Sequence, residues 1–395
     1  MSDVVIVESL QVLARWLHVV AGVTWIGTSF YFIALDLGLR RRPDLADGVH
    51  GEAWQVHGGG FYNMVKYTVA PARMPDELTW FKWEAYTTWL SGFALMVVVY
   101  YLGAEFYLID RDVMPLEPWQ AIGISFGGLI LTWLIYEGLC RSPLGRNELA
   151  LAVVLYVWLV ALTWGFAELL SGRATFNQIG ALIGTIMVAN VFVVIIPNQK
   201  KTVAALIAGT APDPALGEQA KQRSVHNNYL TLPVVFLMVS NHFPLLFSSR
   251  YGWLIVAIVL ALGPLIRHFF NSRHAGLGSP WWTWVAAAVG MAAIFWLSSL
   301  DPEEDLFSNL PSRPDLAQVE DIVLTRCAPC HNPYAGWEGL PPAPKGIKLD
   351  TPEHIRQHAW LIELYAVRSR AMPPGNITGM TSEERRLLAA WRLDN

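Results

Sequence analysis

Cysteine is scarce in this chain, with three in 395 residues, and that count excludes a disulfide framework. Cys140 lies in an apolar run, far from the other two. Charge is scarce as well. Only 15% of the residues are Asp, Glu, Lys or Arg, and the net charge of -4 offers no basic excess to track a phosphate backbone, so nucleic acid is excluded as a partner. Met1-Ser2-Asp3 lacks the positive start and small-residue cleavage site of a signal peptide, so the first apolar stretch is expected to remain as a spanning helix. No internal repeat is discernible. Apolar surface takes the place of charge: 53% of residues are hydrophobic and 18 are Trp, and the mean hydropathy is +0.35. These values describe a membrane protein with a soluble appendage.

A bilayer core about 30 Å thick needs about 20 mostly apolar residues per helix. Eight stretches qualify, at approximately 11–37, 82–103, 119–140, 148–171, 178–197, 228–247, 251–270 and 281–300. Long apolar runs cease at Asp301-Pro302-Glu303-Glu304-Asp305, which sets a domain boundary. The first, third, fifth and seventh connections hold most of the basic residues, including Arg40, Arg41, Arg42, Arg141, Arg146, Lys200, Lys201 and Arg273; the others hold only Arg111, Arg173 and Arg250. Because short cytoplasmic loops are rich in Lys and Arg, both termini are expected outside the cytoplasm. The expected fold is therefore all-α. It comprises a polytopic eight-helix transmembrane bundle over residues 1–300, a linker at 301–312, and a small class I cytochrome c-like domain over 313–395.

The soluble part carries Cys327-Ala-Pro-Cys330-His331. In a C-x-x-C-H pentapeptide two thiols reach the two vinyl groups of one porphyrin and the histidine becomes an iron ligand, so the motif predicts one covalent haem c. The rival readings are a zinc half-site and chance clustering. Residues 313–395 are few for a large core, and a covalent haem supplies apolar interior. Asp315 to Thr325 reads as a first helix with Leu316, Val319, Ile322 and Val323 inward. Thr351-Pro352-Glu353 opens a helix through about Arg370, and Thr381-Ser382-Glu383-Glu384 opens the last. Met372, ahead of two prolines, is the expected second iron ligand. The alternatives are that it fills space in a loop or that Met380 takes the role. His354 and His358 lie at i, i+4 and read as solvated helix histidines rather than a bis-His pair. By the bundle's topology the haem lies on the periplasmic side.

One helix would anchor a cytochrome, so an eight-span domain asks for a further role. Three of its segments are polar and distinctive: Arg15-Trp16-Leu17-His18-Val19-Val20-Ala21-Gly22-Val23-Thr24-Trp25-Ile26-Gly27, Trp54-Gln55-Val56-His57-Gly58-Gly59-Gly60-Phe61-Tyr62, and Ser224-Val225-His226-Asn227-Asn228-Tyr229-Leu230-Thr231-Leu232-Pro233 through Ser240-Asn241-His242. With the eight spans and the C-terminal C-x-x-C-H, the chain resembles the bacterial membrane-bound, cytochrome c-linked urate oxidase (urate hydroxylase) family over nearly its whole length. The resemblance implies oxidation of urate to 5-hydroxyisourate at the bacterial inner membrane. Electrons would pass through the haem to a soluble cytochrome c or terminal oxidase, without hydrogen peroxide. The alternative is an electron-transfer cytochrome c subunit that oxidises quinol or a partner and performs no urate chemistry. A transporter carrying a redox sensor is a third reading.

Intramembrane ionisable groups are costly and so are candidates for function. His18 and His242 fall toward the outer side and are expected either to ligate a non-covalent haem b as a facing pair or to hydrogen-bond within the bundle. A second cluster near the cytoplasmic face holds His50, His57, His226, Asn227, Asn228, Arg267 and His268, with Trp54, Phe61 and Tyr62 near His57. A planar urate anion calls for a cation, carboxamides and an aromatic surface. The expected base is His226 or His57, with Asn227 beside it; the competing reading is a polar loop with a Gly58-Gly59-Gly60 hinge. Glu84, Glu137 and Glu168 are either proton relays or partners of neighbouring arginines.

Overall fold

The computed structural model describes residues 3–71, 73–300, 307, 310, 311, 314–334, 337, 340 and 342–393. The expected boundary at Asp301 and most of the 301–312 linker lie outside the described residues. The chain opens with helix α1 (Asp3–Gly38), then strands β1 (Val49–His57) and β2 (Gly60–Tyr67). Helix α2 (Trp83–Leu95) continues through a π turn at Met96–Tyr101 into short α3 (Ala104–Tyr107), followed by α4 (Pro118–Arg141) and α5 (Glu148–Ala167). Helix α6 (Gly172–Ala189) runs through a second π turn at Asn190–Ile195 into α7 (Ile196–Ile207). The bundle ends with α8 (Pro214–Ser240), short α9 (Pro244–Phe247), α10 (Gly252–His274) and α11 (Trp282–Ser299).

The helices begin where local chemistry satisfies their free N–H groups. Glu117 and Gln120 form a capping box ahead of Pro118. Asn147 accepts from the Ala150 amide at 3.0 Å, Ser171 from Ala174 at 3.1 Å and Asp213 from Ala215 at 3.0 Å. Large apolar side chains stay exposed along α1, α5 and α11, among them Trp16, Val157 and Phe295. Such a surface suits lipid rather than water.

Six helical segments among the described residues are long and apolar enough to cross a bilayer: Val5–Gly38, Pro118–Arg141, Glu148–Ala167, Gly172–Ile207, Gly252–His274 and Trp282–Ser299. The chain thus has the helices of a multi-pass membrane protein. The other two expected spans, 82–103 and 228–247, are less apolar, and 228–247 is interrupted by a turn between α8 and α9. Regular α2 is only 13 residues long, and α8 spends its first half on Arg223, His226, Asn227 and Asn228.

The all-α expectation fails at β1 and β2, which form an antiparallel hairpin with His57 opposite Gly60. Gly58 and Gly59 have φ of +57° and +79°, the backbone of a two-residue turn whose twist matches the flanking strands. The glycines serve the turn rather than a hinge. Tyr31 Oη donates to Gln55 at 2.7 Å and Lys66 pairs with Asp36, which folds the hairpin back onto α1.

Alternate connections meet at each end of the bundle. At one end the Ser171 amide donates to the Leu108 carbonyl at 3.0 Å, and Tyr100 Oη donates to Asn241 at 2.8 Å. At the other, Gln222 donates to the Gly145 carbonyl at 2.7 Å, and Arg223 bonds Glu137 at 2.9 Å.

The C-terminal part holds α12 (Leu316–Arg326), α13 (Pro352–Gln357), α14 (Ala359–Ile362) with a π turn at Glu363–Arg368, and α15 (Ser382–Leu393). These lie close to the expected helices because the caps are local: Asp315 and Gln318 form a capping box and Thr351 accepts from the His354 amide at 3.2 Å. Val319, Val323, Ile355, Val367 and Leu388 make a separate core.

Candidate functional site

Helix α12 delivers its last turn into the cysteine motif. The Cys327 amide donates to the Val323 carbonyl at 2.8 Å, and the amides of Cys330 and His331 both turn back to the Cys327 carbonyl, at 3.1 and 3.0 Å. Two thiols and an imidazole are thereby held on one tight turn. His331 Nδ1 lies 2.9 Å from the Ile347 carbonyl. A carbonyl only accepts, so Nδ1 carries the hydrogen and the Nε2 lone pair is left for a metal. Burial pushes the Cys327 thiol up to about 12 and raises Cys330 as well. No group of three or more His, Cys, Asp or Glu side chains among the described residues converges as a zinc site would require. Two neighbouring thiols and one directed imidazole fit a covalent haem better than a zinc ion.

The two methionines differ in their surroundings. Met380 is a core residue, 2% exposed, with its amide bonded to Asn376 Oδ1 at 2.8 Å. Met372 is half-buried in the following-proline loop, where its carbonyl accepts from Arg385 Nη1 at 3.0 Å and its amide donates to Tyr365 at 2.9 Å. A clamped backbone suits a loop that presents a ligand. Met372→Ala is expected to retain covalent haem and to lose the long-wavelength methionine-to-iron absorption band; an unchanged band would remove the assignment. His354 bonds Asp350 at 2.8 Å, which holds the Asp350 carboxyl below the usual carboxylate range.

The Met372 loop touches the bundle. The Arg111 amide donates to the Gly375 carbonyl at 3.2 Å, and Asn376 Nδ2 donates to both oxygens of Asp112, at 2.8 and 3.0 Å. Burial raises the carboxyl of neighbouring Asp110. Ala371 packs against the bundle core.

Nearer the opposite end, a cavity of about 940 Å³ opens between α1, α2, the second π turn, α7, α8 and α10. Aromatic walls come from Trp25, Phe32, Trp80, Phe81 and Tyr229, and polar groups from Asp36, Lys66, Glu84, Asn227, Asn228, His268 and Asn271. Trp25 and Val191, each near the middle of a 36-residue helical run, carry its inner end toward mid-bundle.

The expected site residues divide. His57 stands exposed at the hairpin tip, and Trp54, Phe61 and Tyr62 are exposed on the strands; none lines the cavity. They sit on the exposed outer part of the hairpin, and the aromatic surface of the cavity comes from other elements. His226 Nδ1 lies 2.8 Å from Tyr136 Oη, which accepts from Asn190 Nδ2 at 2.9 Å. That acceptance leaves the phenolic hydrogen for His226, so this histidine belongs to an interhelical network beside the cavity. Asn227 lines the cavity, but its Oδ1 accepts from Asn190 and its Nδ2 donates to the Met187 carbonyl, both at 2.9 Å. Glu137 is paired with Arg141 and Arg223.

His18 makes the hydrogen bond within the bundle that is one of its two expected readings. His18 Nδ1 bonds the Thr88 carbonyl of α2 at 2.8 Å, and the ring lies over Gly92, where an added Cβ would sit 2.8 Å from His18 Cε1. His242 is exposed in the turn after α8. Tyr136 and Asn190 were missed in the sequence because each looks apolar or isolated within its own span.

An apolar multi-helix bundle with a polar, aromatic-walled cavity, joined to a small helical domain bearing a C-x-x-C-H turn, is an architecture compatible with a multi-pass membrane protein. The chain belongs to the urate oxidase N-terminal family, whose model matches residues 4–298. That match covers the bundle and assigns a urate-related oxidoreductase. No curated protein and no solved structure matches the chain.

Proposed function

We propose that the bundle oxidises urate to 5-hydroxyisourate and that the C-terminal domain, as a cytochrome c, carries the electrons away. The observation that supports this most is the cavity itself, an aromatic-walled volume of about 940 Å³ with carboxamides and an imidazole in a family named for urate oxidation. Its size falls within the range of small-molecule sites. Urate and water give 5-hydroxyisourate, two electrons and two protons. Trp25, Phe32 and Tyr229 can flank a planar ring and exclude water. His268 lines the cavity, beside Ser272 at 3.5 Å, and imidazole is the side chain suited to taking a proton near neutral pH. The network of Tyr136, His226, Asn190 and Asn227 holds α4, the second π turn and α8 in register behind it.

Cys327, Cys330, His331 and Met372 would hold a haem, which would supply a one-electron acceptor. The bundle's role in that transfer is to seat the Met372 loop through Arg111 and Asp112. The onward acceptor is a soluble cytochrome c or terminal oxidase, and the location is the bacterial inner membrane with the cytochrome domain periplasmic. Adding urate to isolated membranes under anaerobic conditions is expected to reduce the c-type haem, followed at its absorption bands. Reduction by a quinol with none by urate would instead establish the electron-transfer-subunit reading.

A further inference from the structure

Adjacent carboxamides on α8 have opposite hydrogen-bond fates. Asn227 spends both ends on the protein, as described above. Asn228 does not: its Oδ1 accepts from Asn271 Nδ2 at 2.9 Å and from Arg267 Nε at 3.4 Å, while its Nδ2 has no partner. The residue is only 1% exposed and lines the cavity. A buried amide donor without a partner costs roughly 1–3 kcal/mol, so such a group in a cavity wall is one that a ligand completes. The orientation is determined by its neighbours. Turning the amide over would aim its NH2 at two donors, Arg267 Nε and Asn271 Nδ2.

Arg267 sets the charge. It is 5% exposed, donates to Asn271 Oδ1 at 3.0 Å and stacks over the Phe30 ring at 3.8 Å. Among the described residues it forms no ion pair, so its field is not cancelled by a carboxylate. A cation backing a carboxamide whose free end is a donor selects a ligand with an acceptor oxygen and negative charge.

We infer that Asn228 is the substrate-positioning donor of the cavity, giving its Nδ2 hydrogen bond to a carbonyl oxygen of a planar, anionic imide-type heterocycle while Arg267 and Asn271 hold it in place. The inference rests on the urate reading and deepens it, since urate is such an anion. It also distinguishes Asn228, whose donor is free, from Asn227, whose groups are occupied.

The test uses the full-length protein in detergent. Asn228→Asp and Asn228→Ala are expected to raise KM for urate at least about tenfold, the equivalent of about 1.4 kcal/mol, with kcat changed less. On the unmodified protein, oxopurines such as xanthine are expected to compete with urate for binding far better than unsubstituted purine, which has no carbonyl. Variants that elute as a single species with wild-type KM, or purine competing as well as xanthine, overturn the inference. Equilibrium dialysis with urate separates the two readings. Asn228-dependent urate binding without haem reduction leaves the inference and sinks the oxidation reading; haem reduction with Asn228-independent KM does the reverse.

Discussion

Replacing Gly375 with valine is expected to release the C-terminal domain from the bundle and to slow urate-driven haem reduction roughly 5- to 150-fold, the range that corresponds to about 1–3 kcal/mol. The reason is steric. Gly375 has φ of +55°, and a Cβ there would lie 2.5 Å from the Ile109 carbonyl oxygen and 2.8 Å from that of Glu105. Backbone atoms of α3 and the loop after it cannot rotate aside as a long side chain can. Overpacking costs typically 1–3 kcal/mol, and a β-branched residue at positive φ adds strain. The bonds at stake are the Arg111 amide to Gly375 and the Asn376 carboxamide to Asp112. Both belong to the loop that carries Met372, so undocking separates the proposed iron ligand's loop from the bundle. Stopped-flow reduction by urate should slow, while reduction by dithionite, which reaches the haem from solvent, should not. Equal urate-driven rates in wild type and variant would mean that this contact is not on the electron route.

Cys327→Ala is expected to abolish two-point haem attachment and, with it, nearly all urate-linked electron output. Cys327 closes α12 through its own backbone bonds to Val323, Cys330 and His331, so its thiol is set in position before any porphyrin arrives. The side chain packs against the small core of Val319, Val323, Ile355 and Leu388. A core of that size gains much of its apolar interior from a bound group, so the variant domain should also become sensitive to proteolysis. The pyridine haemochrome spectrum distinguishes one thioether from two. A variant that retains the two-thioether spectrum would refute the role given to Cys327, and one that retains full urate-dependent electron transfer would remove the haem from the pathway.

The parts of this protein legible in the sequence are those fixed by neighbours along the chain. The Asp315–Gln318 capping box, the Thr351-Pro352 start and the C-x-x-C-H turn each involve residues within a few positions of one another, and the structure places α12, α13 and the His331 turn close to where those signals lie. Apolar runs locate helices in the same local way. The hairpin was also encoded locally, by Gly58-Gly59 between β-prone residues, but an all-helical frame reads those glycines as a hinge. Length and hydropathy alone could not decide α8, whose first half is polar because it faces its neighbours and the cavity rather than lipid.

Tertiary structure alone decided which polar residues share a site. His57 and His226 resemble each other as bases in the sequence, yet strand pairing carries one to an exposed tip and Tyr136 binds the other. Asn227 and Asn228 are consecutive and chemically identical. Successive helical residues point about 100° apart, so one meets Asn190 and Met187 and the other meets Arg267, Asn271 and the open cavity. Asp112 and Asn376 are 264 positions apart, and nothing local in either segment encodes their contact. By itself the sequence determined the helices, the cysteine turn and the apolar character of the bundle, because propensity, capping and burial period act over a few residues. The cavity, its unpaired Asn228 donor and the docking of the Met372 loop depend on long-range packing, which brings together side chains that no local pattern relates.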